Sequence, residues 1–235
     1  MVILLNIGNT HTIIAEAENG IINSSRKILT TELNSETLPT TTPIAAATVV
    51  PEFRKTLKDR EIYWLEPGCQ CDIDLSMVDA STLGADRLAN LIALEDNFVL
   101  PALCIDFGTA ITFELLDKNK VFTGGAIAPG RVLLRNCMHD YTAQLPLVSL
   151  KMPAPTGPGV ATGDQMLLGI DSGVVGAVKE LIDIMSQSIN GHLDLVATGG
   201  DADFFIKNIS GIEYAGDDFT LKGILKAWEI HNKCK

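Results

Sequence analysis

The sequence has little positive charge and no long apolar run, and each shortage argues against one class of function. Lys and Arg number 18 against 29 Asp and Glu, which gives a net charge of −11, and the basic residues form no cluster. Direct nucleic-acid binding requires a basic face that neutralises phosphates, so we predict none. No apolar stretch approaches the roughly 20 residues that span a bilayer, and no signal peptide is evident. We therefore expect a cytoplasmic protein with no membrane partner.

Cysteine is also scarce, and its pattern does not indicate a disulfide framework. The five cysteines are scattered and odd in number, and only Cys69 and Cys71 lie close together. Their spacing is not that of a zinc site. Reduced thiols of a cytosolic protein are the favoured interpretation, with a metal or redox pair as the alternative.

The informative positive feature is a short pattern that occurs twice. Residues 4–13 and 104–113 each contain an apolar run, then Asn6 or Asp106, an apolar residue, Gly8 or Gly108, and further β-forming residues. A spacing of 100 residues indicates two related halves rather than a solenoid, whose repeats are about 20–50 residues long. Each copy predicts a strand, a glycine turn and a second strand, an arrangement that brings backbone close to a phosphate.

Strand-like and helix-like segments alternate in both halves of the 235-residue chain. This alternation predicts an α/β fold with a mixed sheet in each of two similar subdomains, residues 1–100 and 101–235, and a ligand cleft between them. Residues 86–94 have a helical spacing of apolar side chains. Residues 124–130 are so rich in glycine that we expect no regular element there. Thr162 and Gln165 have the spacing of a capping box at the start of a long helix.

Four segments in this order resemble the type III pantothenate kinases: Asn6-Ile-Gly-Asn-Thr10, Gly84-Ala-Asp-Arg87, Asp106-Phe-Gly-Thr-Ala110 and Gly124-Gly-Ala-Ile-Ala-Pro-Gly130. A single glycine motif is weak, whereas the ordered set is specific and spans most of the chain. The family belongs to the superfamily of actin-like ATPases, sugar kinases and acetate kinases. The resemblance therefore implies two RNase H-like, actin-like subdomains.

The resemblance also implies an activity and its cofactors. The family transfers the γ-phosphate of ATP to the primary hydroxyl of pantothenate and forms 4′-phosphopantothenate, the first step towards coenzyme A. It requires Mg²⁺ and a monovalent cation, K⁺ or NH₄⁺, and acts as a homodimer. Pantothenate and ATP are thus the expected partners of this chain.

By the same resemblance, the first glycine hairpin binds ATP through eight consecutive residues: Asn6, Ile7, Gly8, Asn9, Thr10, His11, Thr12 and Ile13. In the second copy, Thr109 contacts the nucleotide and Asp106 holds the monovalent cation or helps to place the metal. Without the second copy, an ordinary β-hairpin would explain the first one equally well.

The Gly84–Arg87 motif provides the expected catalytic and substrate residues. Asp86 is the candidate catalytic base, which takes the proton of the attacking hydroxyl. Gly84, Ala85, Asp86 and Arg87 would bind pantothenate, and Thr162 would approach it from the other side. The alternative for Asp86 and Arg87 is an exposed charged pair at a helix start, and the alternative for Thr162 is a helix cap.

The chain departs from the family at position 6, where Asn6 replaces an aspartate that helps to hold Mg²⁺. Asn retains an oxygen ligand but loses the charge, and Mg²⁺ prefers charged oxygens. Three interpretations stay open at this point. The chain is an active pantothenate kinase with altered metal or nucleotide affinity, a catalytically impaired relative that acts as a ligand-binding or transcriptional accessory protein, or a kinase for a different small alcohol.

Overall fold

The protein contains two five-stranded mixed sheets. The computed structural model describes residues 1–234. Sheet 1 has the order β3-β2-β1-β4-β5 and consists of β1 (Val2–Ile7), β2 (His11–Glu18), β3 (Ile21–Leu29), β4 (Ile44–Thr48) and β5 (Ile62–Trp64). Sheet 2 has the order β10-β9-β6-β7-β8 and consists of β6 (Ala102–Phe107), β7 (Ala110–Leu116), β8 (Phe122–Pro129), β9 (Asp194–Thr198) and β10 (Ile212–Tyr214).

The two sheets have the same topology. In each, the first three strands in chain order form an antiparallel meander, and the last two add in parallel to the other side of the first. The predicted pair of similar mixed sheets is therefore confirmed. Six α-helices accompany the sheets within residues 1–234: α1 (Glu52–Thr56), α2 (Ala85–Asn97), α3 (Arg131–Asp140), α4 (Thr162–Ser186), α5 (Ala202–Asn208) and α6 (Phe219–Lys233).

The two glycine hairpins differ in loop length. Asn6 lies opposite Ile13, so that three residues separate β1 from β2, whereas Asp106 lies opposite Thr112, and two residues separate β6 from β7. Gly8 N donates to His11 O at 3.0 Å and closes the longer loop. The sequence repeat therefore holds up to the glycine and is offset by one residue beyond it.

Helices α2 and α6 lie between the two sheets. Their apolar side chains form one core with the inner faces of β1, β4, β6 and β9. The outer face of sheet 2 packs against α4 and α5, and the outer face of sheet 1 packs against Leu33, Leu38 and Leu57 from its connecting segments. Because α2 belongs to the shared core, the residues at its start have a fixed position relative to both sheets.

Close approach of α6 to α2 depends on Gly223. A Cβ atom at this position would overlap the backbone carbonyl of Ala89 on α2. A glycine inside a helix costs roughly 1 kcal/mol relative to alanine, and here the contact between helices explains why it is present.

Two local predictions were wrong. Residues 124–130 were expected to be irregular, but most of them continue strand β8, Phe122–Pro129. Glycine is required at Gly125 because a Cβ there would overlap the Phe113 carbonyl oxygen of β7. Strand pairing at the edge of sheet 2 is therefore compatible with this composition.

The capping box at the start of α4 is absent. The N-cap residue is Ala161, which makes no side-chain cap, and Thr162 is the first helical residue. The side chain of Gln165 instead donates to the Gly159 carbonyl at 3.2 Å. Thr162 is exposed, and its hydroxyl has no capping role.

Among residues 1–234, no helix is both long and apolar enough to cross a bilayer.

The glycine contact between α2 and α6 generates a stability prediction. We expect Gly223→Ala to lower the free energy of unfolding by about 1–3 kcal/mol, since an overpacked core must shift backbone. Urea denaturation measures this change. Gly157→Ala is the matched control, because no atom lies within 4 Å of its Cβ, and we expect it to stay within about 0.5 kcal/mol of the wild type. Equal stabilities of the two variants would contradict the contact.

Candidate active site

The ends of β1 and β4 bring the first hairpin next to the start of α2. The two strands are parallel, and Val49 N donates to the Ile7 carbonyl at 3.1 Å just beyond β4. The Val49 side chain in turn faces Gly84, where a Cβ would lie 3.6 Å from Val49 Cγ1. The carboxyl ends of parallel strands are common ligand sites in α/β folds.

The loop of the first hairpin, residues 8–10, is held by Thr30, the residue that follows β3. Thr30 Oγ1 donates to the Gly8 carbonyl at 2.8 Å, and Thr30 N donates to the Thr10 carbonyl at 3.0 Å. Buried Thr12 lies 3.1 Å from the same hydroxyl. Asn9, Thr10 and His11 remain exposed. Thus the loop is fixed at its base, while its tip presents polar groups.

Lys27 on β3 extends towards Gly200, which belongs to the second half of the chain. A Cβ on Gly200 would lie 3.6 Å from Lys27 Nζ. Lys27 forms no ion pair with another residue of the described chain. Partial burial, together with the charge of Lys27, lowers the pKa of His11. The sequence analysis did not identify this lysine, because nothing in its neighbourhood distinguishes it from a surface residue.

The second hairpin contacts the start of α3. Gly130 N donates to the Thr109 carbonyl at 3.0 Å, and a Cβ on Gly130 would lie 2.7 Å from the same oxygen. Thr109 itself is exposed. Glycine at position 130 therefore allows the segment before α3 to pack directly on the hairpin backbone.

Asp106 lies at the end of β6, next to this hairpin. Its Oδ2 accepts a hydrogen bond from Asn90 Nδ2 at 3.4 Å. Burial raises the pKa of Asp106 to about 6, with a further contribution from the negative charge of Asp86. Gly199 packs against it with φ +94°, and a Cβ there would overlap the carboxylate. Asp106 is thus a buried carboxylate that lies near a second negative charge, that of Asp86.

Asn90 is held with its side-chain NH₂ group towards Asp106. Thr220 Oγ1 on α6 donates to Asn90 Oδ1 at 2.8 Å, and Asn90 is fully buried on α2. Its amide NH₂ is thereby directed to the carboxylate. The sequence analysis missed Asn90, although an Asn inside an apolar helical stripe is a recognisable signal.

Asp86 lies in the first turn of α2 and is half-buried. Its Oδ1 accepts a hydrogen bond from Arg87 N at 2.8 Å. A Cβ on Gly84 would lie 2.6 Å from this oxygen, so glycine leaves space for the carboxylate. Burial raises the pKa of Asp86, although the Arg87 amide and charge partly oppose the effect. A carboxylate with a raised pKa is a better proton acceptor at neutral pH.

Arg87 is not part of an exposed surface pair. Its Nε donates to Glu114 Oε1 on β7 at 2.7 Å, and its Nη2 donates to the Phe113 carbonyl at 3.2 Å. Burial raises the pKa of Glu114 to about 7 against the opposing charge of Arg87. The sequence analysis did not identify Glu114. A single carboxylate inside the apolar run of β7 was the signal available.

Thr162 stands apart from the other candidate residues. It is exposed at the start of α4, and no side-chain hydrogen bond joins it to another residue of the described chain. Within one chain, Asp86, Arg87 and Asp106 are brought together, and Thr162 is not joined to them by a hydrogen bond.

This arrangement suits phosphoryl transfer. Two glycine hairpins, the proton acceptor Asp86 and the positive charge of Lys27 belong to it. Phosphoryl transfer depends mainly on the positioning of the reactants and on electrostatic stabilisation. Within residues 1–234, no group of three or more His, Cys, Asp and Glu could hold a metal. Mg²⁺ commonly binds through one or two carboxylates together with substrate phosphates, and Asp106 at the end of β6 is a carboxylate of that kind.

Comparisons with known proteins identify the family. Residues 2–184 match the family model described as type III pantothenate kinase. A type III pantothenate kinase of Methylacidiphilum infernorum is 32% identical over 246 residues, which cover 99% of this chain and 90% of the relative. A type III pantothenate kinase of Listeria monocytogenes is 27% identical, with 95% of each chain covered.

Solved structures show the same fold at lower sequence identity. A protein of Campylobacter jejuni described as a Baf family transcriptional activator superposes with a TM-score of 0.67 at 20% identity, with 98% of this chain and 99% of that chain covered. The activator of 2-hydroxyisocaproyl-CoA dehydratase from Clostridium difficile, with bound ADPNP, gives 0.53 at 14% identity, with 100% and 98% covered. The predicted actin-like fold is confirmed.

The raised pKa of Asp106 generates a prediction about stability and pH. The folded protein binds this proton more tightly than the unfolded chain, so the contribution is complete below about pH 4 and is lost as the pH rises through about 6. We therefore expect Asp106→Asn to raise the free energy of unfolding by about 2 kcal/mol at neutral pH and to have little effect near pH 4.

Denaturant titration of the ligand-free protein at both pH values measures this difference. Asp59→Asn is the control, since Asp59 is exposed, and it should leave the stability unchanged at both values. A destabilised Asp106→Asn variant at neutral pH would contradict the proposed electrostatic cost.

Proposed function

The chain belongs to the type III pantothenate kinase family, and on that premise we propose that it transfers the γ-phosphate of ATP to the primary hydroxyl of pantothenate, the first step of coenzyme A synthesis. The observation that carries the proposal is the hydrogen bond from Asn90 Nδ2 to Asp106 Oδ2 at 3.4 Å, because it connects the helix that begins beside Asp86 to the second glycine hairpin. A proton acceptor and a phosphate site therefore lie within reach of one another. No observation favours the accessory-protein interpretation.

In this proposal, residues 6–13 and Thr109 bind ATP. The exposed tip of the first hairpin offers the polar groups of Asn9 and Thr10 to the phosphates. Lys27 adds a positive charge on the same side of the gap, and a cation near the transferred phosphoryl group stabilises the developing negative charge.

The cation sites are part of the proposal. Asp106 and Asn6 would hold Mg²⁺ together with the phosphates, and Mg²⁺ would neutralise phosphate charge when bound. We propose that Asp106 also contributes to a site for K⁺ or NH₄⁺. The electrostatics of Asp106 support its role at both cation sites. Burial and the negative charge of Asp86 raise the pKa of Asp106 to about 6, and a bound cation would offset the repulsion between the two carboxylates.

Asp86 acts as the catalytic base. It accepts the proton of the attacking hydroxyl, and its raised pKa favours that transfer. The backbone of Gly84 and Ala85 lines the same site, and Arg87 binds the carboxylate of pantothenate, since a guanidinium pairs well with a planar anion. The reacting groups are thus supplied by the start of one helix.

We also propose that the protein is a cytoplasmic homodimer. Eight of the fourteen large apolar side chains that are exposed in the described chain lie between residues 127 and 184: Ile127, Val132, Leu133, Tyr141, Leu147, Met152, Val160 and Ile184. Such a concentration is typical of a protein–protein interface. A second copy that covers this region would bring Thr162, which is exposed, towards the pantothenate site. Residues 1–100 and 101–235 would be the two halves that enclose the substrates.

The proposal is tested by an ATP- and Mg²⁺-dependent assay with pantothenate, using Asp86→Asn. We expect the wild type to form phosphopantothenate and the variant to lose about 10²–10⁴-fold in kcat, as for removal of a general base. Calorimetry should show pantothenate affinity within about threefold of the wild type. Equal losses in turnover and binding would contradict the role of Asp86, and a wild type without turnover would overturn the proposed function.

Asn6 generates a separate prediction. Asn6→Asp restores a charged oxygen at the end of β1, so we expect the Mg²⁺ concentration for half-maximal activity to fall about threefold or more. Initial rates over a range of Mg²⁺ at fixed ATP measure it. Asn23→Asp, an exposed position on β3 with no role in the site, controls for added charge alone. An unchanged Mg²⁺ dependence would show that position 6 does not limit metal binding.

A further inference from the structure

Two edges of the Arg87 guanidinium are fixed to strand β7. Nε donates to Glu114 Oε1 at 2.7 Å, and Nη2 donates to the Phe113 carbonyl at 3.2 Å. Only 16% of the arginine side chain is exposed, and the glutamate side chain is fully buried. Since α2 and β7 belong to different halves of the chain, this contact crosses the gap between them.

Strand β8, which pairs with β7, leaves space for the Arg87 guanidinium. A Cβ on Gly125 of β8 would lie 2.9 Å from Arg87 Nη2. The Phe122 ring centre lies 5.8 Å from the guanidinium carbon. The glycine-rich segment that begins β8 therefore leaves room for the arginine, so three separate parts of the sequence converge on one side chain.

Structural stabilisation alone does not account for this pair. Glu114 Oε2 is buried without a hydrogen-bond partner among the described residues, and an unpaired buried carboxylate oxygen is destabilising. Buried ion pairs are in general weak contributors to stability. The guanidinium also keeps Nη1 without a hydrogen bond to any described residue. The contacts of Nε and Nη2 therefore fix the orientation of the guanidinium and leave Nη1 as a donor without a protein partner among the described residues.

Resting on the proposed function, we propose that Glu114 is a positioning residue for the acceptor substrate. It fixes the guanidinium of Arg87 so that the uncommitted Nη1 faces the anionic end of the pantothenate molecule. Glu114 itself does not contact the reacting atoms. Loss of its charge should weaken binding of the acceptor and leave ATP binding and the chemical step largely intact.

Steady-state kinetics of Glu114→Gln test this inference. We expect the KM for pantothenate to rise about tenfold, since a charge-assisted hydrogen bond that orients the arginine is lost, while kcat and the KM for ATP change by less than about threefold. Glu114→Asp retains the charge and should recover part of the affinity. Glu213→Gln on β10, an exposed glutamate, is the matched control and should behave as the wild type.

A pH profile separates positioning from a general structural role. Burial raises the pKa of Glu114 to about 7, and the ionisable groups that face it are Arg87, Asp106 and Cys104. Protonation of Glu114 weakens its attraction for Arg87, so the wild-type KM for pantothenate should rise as the pH falls below about 7. In Glu114→Gln this dependence should be absent.

The possible outcomes are distinct. A Glu114→Gln variant with unchanged KM for pantothenate, or with equal losses in all parameters and no recovery in Glu114→Asp, would overturn the inference alone. If Glu114→Gln does not fold, Glu114→Asp replaces it, because the shorter side chain keeps the charge but shifts its oxygens away from Arg87 Nε. It should raise the KM for pantothenate by a smaller factor, and an unchanged KM would overturn the inference. A wild type that does not phosphorylate pantothenate would overturn both the proposed function and this inference.

Discussion

The position of helix α2 between the two sheets is the constraint on which the candidate site depends. Gly223 allows α6 to contact the backbone of α2 at Ala89, and the buried side chains around them connect both sheets in one core. The first turn of α2 carries Asp86 and Arg87, and its second turn carries Asn90. A shift of this helix would therefore displace the proton acceptor, the arginine and the partner of Asp106 together, so packing far from the reacting groups fixes their geometry.

The electrostatics of the site oppose the stability of the fold. Burial raises the pKa values of Asp86, Asp106 and Glu114, so the ligand-free protein holds carboxylates that ionise with difficulty. Such groups are common where chemistry is performed, because bound cations and substrates supply the charge that the protein lacks. The large apolar core offsets their cost. Ligand binding should consequently stabilise the fold by relieving repulsion as well as by forming contacts.

The sequence predicts the repeated features better than the unique ones. The hairpins at Gly8 and Gly108 and the helix that begins near Asp86 were identified because short-range periodicity and turn residues determine them. The continuation of strand β8 through the glycine-rich residues 124–129 was not expected, because Gly125 is required by contacts with Arg87 and Phe113, which are distant in sequence. The role of Glu114 was missed for the same reason: a carboxylate in an apolar strand indicates a partner but does not identify it. The roles of individual site residues came from family resemblance.

The packing of α6 against strands of sheet 1 has a consequence for folding during synthesis. Sheet 1 is complete after β5, yet its inner face is covered by a helix that is translated after every strand of both sheets. During synthesis on the ribosome, the part of this face that α6 covers remains exposed until that helix emerges. Proteins with many contacts between residues distant in sequence fold slowly, and they expose hydrophobic surface until those contacts form. The two halves of the protein therefore reach their final packing together rather than in succession.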